Sequence, residues 1–322
     1  MATLLSQRPD IRTLDITQFY SANPAERAMF IENLGKSFSE IGFVVISGHK
    51  VSNELQKKSY EVIGKFFSLP EAEKIKFEKQ GVGGSRGYTR LYKEHAKNTS
   101  VGDLKEFFHV GVDLPEGHPL EKVYPANVGV PQIAEFDATL RALYQGLLDL
   151  GCDLLRALSL WLNLDEEFFE DFVILGDSKL RPIHYPPLRG SEPAGAIRSS
   201  EHEDINLITL LIGASSPGLQ AKSKSGEWIE ITTKPNEIVV NVGDMLQRLT
   251  NYRLISTTHR VVNPPTGNEG TTRFSIPFFL HPVPEMSLAP LRACVSQSNP
   301  PRDPPTTAGE YLSERLREIG LT

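Results

Sequence analysis

The chain has 322 residues, of which 39% are hydrophobic and 23% charged, and it contains 16 Phe and 9 Tyr. This apolar content excludes a disordered chain. The 25 Gly show no three-residue period and the 23 Pro would break long heptads, which excludes collagen-like and coiled-coil proteins. A net charge of −6 gives no basic footprint, so we expect no nucleic-acid partner.

The sequence also lacks the marks of secretion and of membrane insertion. Cys152 and Cys294 are too few for a disulfide framework and have no C-x-x-C spacing for zinc. The start, MATLLSQRPDIRTLDITQF, has no basic segment followed by an apolar run, and no stretch of about 18 apolar residues follows. We expect a soluble, cytoplasmic, globular protein with no membrane contact, whose unknown oligomeric state is compatible with a monomer.

The N-terminal part of the chain is predicted to begin with helices. Residues Asn23 to Glu26 (NPAE) can form a capping box, and apolar residues then recur at helical spacing until Gly42 provides the stop. FVVIS at 43–47 predicts a short buried strand. A second helix is expected over roughly 53–67, ending before Pro70.

A long helix and a β-rich segment follow. From Ile133 to Leu162 apolar residues recur at helical steps, which predicts a largely buried scaffold helix with Gly151 as a candidate break. Beyond about residue 180, short apolar or alternating runs separated by Gly, Pro and Asn turns predict the strands of a sandwich or jelly roll. The runs are RPIHY, INLITLL, GLQAK, EWIEI, EIVVNVG, THRVVN and RFSIPFFL.

The C-terminal part is predicted to be a loop followed by a helix. SQSNPPRDPPT at 297–307 has the composition of an extended loop, and Thr307 to Glu310 can form a second capping box. Leu312, Leu316 and Ile319 would lie on one side of the helix that follows.

We expect a single elaborated domain over 1–322. A prior of about 150 residues per domain suggests two domains, but β barrels and sandwiches of about 200–250 residues fold as one unit. The patterns divide the domain into a mainly helical region at 1–175, a β-rich core at 178–285 and a C-terminal loop and helix at 286–322.

A possible metal site lies in the β-rich core. The chain has no G-x-S-x-G, Walker A or H-E-x-x-H motif, which leaves His202-Glu203-Asp204 and the distant His259 as candidates. On a strand, His202 and Asp204 would share a face. With His259 they match the two-His-one-carboxylate triad of non-haem Fe(II) oxygenases. Zn²⁺ at these ligands stays open, as do an exposed His202 and a His259 that only hydrogen-bonds in a core.

A possible anion site follows the second histidine. Arg273 and Ser275 are two residues apart in TTRFSIPFF, so they would share a face of a strand. A guanidinium fork fits a carboxylate, and a hydroxyl adds a further donor. An Arg paired with a structural Asp or Glu is the alternative.

These motifs, taken in order, resemble those of the isopenicillin-N-synthase-like family of Fe(II)/2-oxoglutarate-dependent dioxygenases. The resemblance runs over nearly the whole chain. The matching stretches are IGFVVISGH (41–49), DLKEFFHVG (103–111), RPIHYPPL (181–188), HEDINLITLL (202–211), GLQAKSKSGEWIEI (218–231), VVNVGDMLQRLTN (239–251), STTHRVVNP (256–264) and RFSIPFF (273–279).

The resemblance implies the fold and the site residues. The family fold is a double-stranded β-helix, a distorted jelly roll with its metal site inside, wrapped by N-terminal helices and a C-terminal helix. Plant members usually have an Asn where this chain has Ile183, so one polar contact to the co-substrate is missing. The implied residues are His202, Asp204 and His259 for iron, Arg273 and Ser275 for the distal carboxylate of 2-oxoglutarate, and Tyr185 for a hydrogen bond to this co-substrate.

The resemblance also implies the activity. We expect an oxygenase that uses Fe(II), 2-oxoglutarate and O₂ to hydroxylate or desaturate a small organic molecule, with release of succinate and CO₂. Two alternatives stay open: an Fe(II)/O₂-dependent oxidase or cyclase that does not use 2-oxoglutarate, and a non-enzymatic ligand-binding or sensor module.

Substrate contacts are expected from two parts of the chain. Arg86, Tyr88 and Arg90 in SRGYTRLYKE could bind an anionic substrate, although a solvated surface loop explains them equally well. The C-terminal helix could cover the mouth of the pocket, with ordinary packing of Leu312 and Leu316 as the alternative.

Overall fold

The computed structural model describes residues 11–82, 84–95 and 101–318. The first ten residues, part of the segment that we interpret as lacking a signal, and Ile319 of the predicted C-terminal helix lie outside them. Within the described residues the chain forms seven α-helices. They are α1 (Pro24–Glu40), α2 (Asn53–Phe67), α3 (Glu71–Lys74), α4 (Phe136–Trp161), α5 (Glu170–Val173), α6 (Asp244–Leu249) and α7 (Ala308–Glu318).

Thirteen strands in the same ranges form two sheets. The larger sheet has the order β1-β2-β11-β8-β13-β5-β4-β3, with β6 paired to β13 and β4, and the smaller has the order β10-β9-β12-β7. The strands are β1 (Thr13–Asp15), β2 (Phe43–Ser47), β3 (Gly87–Thr89), β4 (Glu106–Gly111), β5 (Lys179–Leu180), β6 (Ile183–Tyr185), β7 (Ser199–His202), β8 (Ile208–Ile212), β9 (Leu219–Lys222), β10 (Trp228–Glu230), β11 (Ile238–Val242), β12 (His259–Val261) and β13 (Arg273–Leu280).

Side-chain alternation along the central strands separates the two faces of the larger sheet. On β13, Ile276, Phe278 and Leu280 enter the main core with α1, α2 and α4. The residues between them face the smaller sheet, where a second apolar cluster includes Tyr185 and Val261. Because successive side chains point to opposite faces, one strand stabilises the fold and lines the space between the sheets. The expected distorted jelly roll, with helices outside, is confirmed.

The N-terminal helices follow their sequence signals closely. The Asn23 side chain accepts a hydrogen bond from the backbone N–H of Ala25 at 3.0 Å, and α1 begins at Pro24. The helix ends before Gly42, whose φ of 72° lies in the left-handed region that glycine favours. The predicted strand FVVIS and the second helix have the bounds expected from the sequence.

The long helix differs from its prediction in two ways. It begins at Phe136 instead of Ile133, and it continues through Gly151 without a break. A Cβ at Gly151 would overlap the side chain of Leu280 on β13. The glycine therefore permits close packing of α4 on the larger sheet instead of interrupting the helix.

Three strands of the N-terminal region and three short helices were not predicted. The strands are β1, β3 and β4, and the helices are α3, α5 and α6. All six residues of β4 are buried, so its sequence, EFFHVG, has no alternation of polar and apolar residues to mark it. The region 1–175 thus adds four strands to the larger sheet besides its helices.

The C-terminal helix begins at the predicted capping box. Thr307 Oγ1 accepts from the backbone N–H of Glu310, and the Glu310 carboxylate accepts from the N–H of Thr307.

As for membrane insertion, none of the described helices combines the length and apolar character needed to cross a bilayer.

Gly151→Ala tests the close packing between α4 and β13. Alanine favours a helix by about 1 kcal/mol, but overpacking a core costs about 1–3 kcal/mol, so we expect a net fall in thermal stability. Gly146→Ala in the same helix is the control, because its Cβ would lie 3.4 Å from Val51 Cγ2. A melting curve in which both variants are stabilised would contradict this account.

Candidate metal centre and adjoining cavities

Strand pairing places the two histidines of the motif side by side. His259, the first residue of β12, is paired with His202, the last residue of β7, and their ring centroids are 4.4 Å apart. Asp204 does not continue β7, contrary to the strand-based prediction, but lies in the loop that follows. A turn of the chain, not strand alternation, therefore brings the carboxylate to the imidazoles.

The three side chains form a possible ligand set for one metal ion. Asp204 Oδ1 is 3.8 Å from His202 Nε2 and 3.7 Å from His259 Nε2. The three ligand atoms lie within 4.8 Å of one another. The two measured separations are shorter than two metal–ligand bonds of about 2.1 Å placed end to end, so the set can hold one ion.

Backbone carbonyls orient both imidazoles. The Nδ1 of His202 lies 2.7 Å from the carbonyl oxygen of Ser200, and the Nδ1 of His259 lies 3.0 Å from that of Thr257. A carbonyl can only accept, so each Nδ1 carries the proton and each Nε2 keeps its lone pair. Burial, followed by the effect of His259, lowers the pKa of His202 to about 4 and keeps it neutral for metal binding.

Two side chains from the larger sheet orient the carboxylate. Asp204 Oδ2 accepts hydrogen bonds from Thr209 Oγ1 at 2.5 Å and Asn241 Nδ2 at 2.8 Å, which leaves Oδ1 for the imidazoles. Burial alone would raise the pKa of Asp204, but the imidazoles and these two hydrogen bonds together hold it below its usual value. Neither donor was predicted from the sequence, although Asn241 is the one polar residue in the strand IVVNV.

A small cavity of about 70 Å³ joins the metal ligands to the possible anion site. Arg273, Ser275 and Tyr185 line it together with His202, Asp204 and His259. Arg273 is 1% exposed, and its Nε donates to the carbonyl of Ser216 at 3.0 Å. Its Nη1 has no hydrogen-bond partner among the described residues. Since an unpaired buried guanidinium is costly, this geometry fits a carboxylate such as that of 2-oxoglutarate.

A larger cavity of about 350 Å³ lies on the other side of the metal ligands. The C-terminal helix contributes Leu312, Arg315 and Leu316 to its wall, so α7 does border the pocket. Five residues line both cavities and separate a possible substrate from a possible co-substrate. They are Lys105, Arg181, His202, Asp204 and Phe279.

The three substrate candidates from the sequence lie elsewhere. Arg86 is fully buried and pairs with Asp177 at 3.1 Å, and the Tyr88 hydroxyl donates to the buried Glu106. Arg90 pairs with Glu78. None of the three is among the described residues that line either cavity, which corrects this expectation.

Arg181 is a cationic group beside the possible metal ligands, and it was not predicted from the sequence as a substrate contact. Its guanidinium lies 4.4 Å from the ring centroid of Phe107 and 4.9 Å from that of Phe279. Nε donates to His109 Nε2 at 2.6 Å, and Nη1 lies 3.2 Å from the Glu94 carboxylate. The two rings and these two contacts fix its position at the junction of the cavities.

Fold and ligand set together define the class of protein. Two imidazoles and one carboxylate between the sheets of a jelly roll form the metal centre typical of non-haem Fe(II) oxygenases. Residues 176–282 match the family model of the 2OG-Fe(II) oxygenase superfamily, and residues 11–132 match the N-terminal model described as "non-haem dioxygenase in morphine synthesis N-terminal".

Similar proteins agree with these two matches. A 2-oxoglutarate-Fe(II) type oxidoreductase of Aspergillus fumigatus is 31% identical over 312 residues, which cover 94% of this chain and 91% of the relative. A Caulobacter crescentus structure assigned to the 2OG-Fe(II) oxygenase family has 38% identity and a TM-score of 0.85, covering 96% of this chain and 98% of the other. A full-length Neurospora crassa protein solved in complex with alpha-KG has 27% identity and a TM-score of 0.83, covering 95% of each chain.

The chain belongs to the 2OG-Fe(II) oxygenase superfamily and is an Fe(II)- and 2-oxoglutarate-dependent oxygenase. The family matches confirm the first of the three functional expectations. They do not support a 2-oxoglutarate-independent oxidase or a ligand-binding module without activity.

The buried His281 makes stability depend on pH. Burial, assisted by Lys179, lowers the pKa of His281 to about 4. The unfolded chain, with a histidine pKa of about 6.5, binds a proton below that value, whereas the folded chain does so only near pH 4. We expect the metal-free protein to lose stability as pH falls from about 6.5 to 4, by up to about 3 kcal/mol through this residue.

Urea unfolding of the metal-free wild type and of His281→Gln at several pH values measures this contribution. The variant should show a shallower loss of unfolding free energy as the pH falls from about 6.5 towards 4. Equal slopes for the two proteins would contradict the assignment.

Proposed function

We propose that the metal and the co-substrate bind to the six residues named by the sequence motifs. The observation that carries the proposal is the unpaired Nη1 of Arg273, which is buried at the cavity shared with the possible metal ligands. The proposed residues are His202, Asp204 and His259 for Fe(II), and Arg273, Ser275 and Tyr185 for 2-oxoglutarate.

The chain's contribution to catalysis is orientation and exclusion of water. Held by these six residues, Fe(II) and 2-oxoglutarate would supply the activation of O₂, with loss of CO₂ and formation of succinate. The Ser200 and Thr257 carbonyls keep both Nε2 atoms directed at the metal position. Arg273 neutralises the distal carboxylate, and its Cζ lies 4.9 Å from the ring centroid of Tyr185, which fixes the guanidinium. The surrounding apolar side chains keep this cavity dry.

Arg273→Met tests the co-substrate site. The variant loses a charge-assisted contact in a buried site, so we expect affinity for 2-oxoglutarate to fall at least about 100-fold while metal binding persists. The measurement is an anaerobic titration of the Fe(II) protein with 2-oxoglutarate, followed by its visible charge-transfer band.

Arg260→Met is the matched control for this titration. Arg260 follows His259 in the chain, but its guanidinium lies against the Trp228 ring at 3.9 Å, away from the small cavity. The control should bind 2-oxoglutarate like the wild type. Similar affinities in all three proteins would refute the assignment of Arg273.

The substrate cavity favours a small uncharged molecule. Each Lys and Arg side chain in its described lining already has a carboxylate partner, so an anionic substrate would find no unpaired cation of these two types there. The pairs are Lys105 with Glu94 and Asp103, Arg181 with Glu94, Lys179 with Asp177, and Arg315 with Asp244.

Within the described residues, the hydrogen bonds of the Arg181 side chain run from Nε and Nη1, which leaves Nη2 to donate to a carbonyl group of a substrate. Phe279, Ile205 and Leu312 offer apolar contacts in the same cavity. The similar Neurospora crassa protein has also been solved in complex with alpha-KG and thymine, a small planar molecule with carbonyl groups. We therefore favour substrates that are small, planar and carbonyl-bearing.

Arg181→Met tests the substrate side of the proposal. We expect kcat/KM for a productive substrate to fall at least about 100-fold, since a fixed donor is lost, while 2-oxoglutarate is still consumed without substrate oxidation. Succinate release and substrate loss are measured in parallel over a panel of neutral, anionic and cationic small molecules.

Arg90→Met is the control, because Arg90 lies outside both cavities and pairs with Glu78. It should match the wild type. A substrate from the anionic part of the panel, or equal losses in both variants, would overturn the choice of an uncharged substrate and of Arg181.

Two wider proposals follow from the same structure. The chain is proposed to be one domain over 1–322, because α1, α2, α4, the larger sheet and α7 share one apolar core. A cytoplasmic location is proposed because Cys152 and Cys294 are both unpaired, as is usual in a reducing compartment.

A further inference from the structure

The strand that carries His202 lies at an edge of its sheet. In the described residues, β7 has β12 as its only neighbour in the smaller sheet, and the pairing is irregular between His259 and Val261. An edge strand with an irregular partner is a weak support for a metal ligand, which must be held to a fraction of an ångström. The outer edge of β7 therefore needs another support.

A carboxylate from the N-terminal region occupies that outer edge. Asp103 Oδ1 accepts from the backbone N–H of Ser200 at 3.0 Å and from its hydroxyl at 2.8 Å. The backbone N–H of the next residue, Leu104, donates to the carbonyl of Ile197 at 3.0 Å. Asp103 thus binds the outer edge of β7, and Leu104 binds the segment that leads into this strand.

Lys105 holds this carboxylate in place. Its ammonium group lies 2.8 Å from Asp103 Oδ2, 2.7 Å from Glu94 Oε1 and 3.2 Å from Ser199 Oγ. An ammonium group has three N–H donors, and these contacts use all of them. Although Lys105 lines both cavities, it therefore has no donor left for a substrate.

Ser200 connects Asp103 to the proposed metal ligand His202. Ser200 is fixed by Asp103 through its N–H and its hydroxyl, and its carbonyl oxygen accepts from His202 Nδ1. We propose that Asp103 is a positioning residue, which sets the direction of His202 Nε2 through Ser200 and is itself held by Lys105. This inference rests on the proposed role of His202 as a metal ligand.

The proposed role of Asp103 affects the affinity for metal, and not only the stability of the fold. Partners behind metal ligands change metal affinity by about 10- to 100-fold when they are removed. We therefore expect Asp103→Ala to bind Co(II) about 10-fold more weakly than the wild type or worse. Asp103→Asn should lose less, because its amide oxygen can still accept from Ser200. Ser200→Ala, which removes only the hydroxyl, should show a smaller loss of the same sign.

Asp177→Asn is the matched control. Asp177 is a carboxylate in a similar ion pair, 2.8 Å from Lys179 Nζ and 3.1 Å from Arg86 Nη2, and neither of these partners belongs to β7. This variant should melt at a lower temperature and bind Co(II) with unchanged affinity.

The experiment is a titration of the metal-free proteins with Co(II), followed by its visible absorption, with the melting temperature of each metal-free protein measured beside it. Weaker binding in the Asp103 series and in Ser200→Ala, with Asp177→Asn unchanged, supports the inference. Unchanged binding in the Asp103 and Ser200 variants, or equal weakening in Asp177→Asn, overturns it. Ser200→Ala decides the question if the Asp103 variants do not fold.

A fourth variant separates this inference from the proposed metal site. His202→Ala should abolish specific Co(II) binding. If it binds Co(II) like the wild type, the proposed site is wrong. If it fails to bind while the Asp103 variants match the wild type, only the positioning role of Asp103 is wrong.

Discussion

The pairing of β7 with β12 is the contact on which the proposed metal centre depends. It places His202 opposite His259 and brings the imidazole rings within 4.4 Å of each other. In both residues Nδ1 binds a backbone carbonyl two positions earlier in the chain, so both Nε2 atoms face the same point. Asp204 reaches that point from the loop after β7, where the larger sheet supplies the donors that turn its carboxylate. The centre therefore spans both sheets, and separating them would disassemble it.

The same alternation that builds the core also builds the cavities. On β13, Ile276, Phe278 and Leu280 pack under the helices, whereas the intervening Arg273, Ser275 and Phe279 line the space between the sheets. A shift of one residue in register would bury the guanidinium among the helices and expose three large apolar side chains to the cavity. The free energy of burying the apolar face thus fixes the position of the polar groups on the other face.

Structural features that depend on only a few neighbouring residues could be predicted from the sequence. The caps of α1 and α7, the strand FVVIS and the shared face of Arg273 and Ser275 all depend on local patterns. The contact partners of Arg86 and Tyr88 could not be predicted in this way. Their partners, Asp177 and Glu106, lie 91 and 18 residues away, and nothing in SRGYTRLYKE indicates that its charges and hydroxyl are already used. Strands such as β4, buried on both faces, give no periodic signal either. For the same reason the supports of His202 and the position of Arg181 were found only in the folded chain.

Charge pairing, more than residue type, distinguishes the two cavities. Both contain a cation beside the proposed metal ligands, and both cations contact aromatic rings. On the co-substrate side, Arg273 has an unpaired Nη1 among the described residues, so the cavity attracts a carboxylate. On the proposed substrate side, Glu94 and Asp103 neutralise Arg181 and Lys105, the two cations that line both cavities, so an anion gains little Coulomb energy there and still loses its hydration. This difference in charge pairing supports the proposal that a keto diacid binds on one side of the metal centre and an uncharged molecule on the other. In the proposed arrangement, Glu94 and Asp103 disfavour a second carboxylate in the larger cavity, whereas the unpaired Nη1 of Arg273 favours one in the smaller cavity.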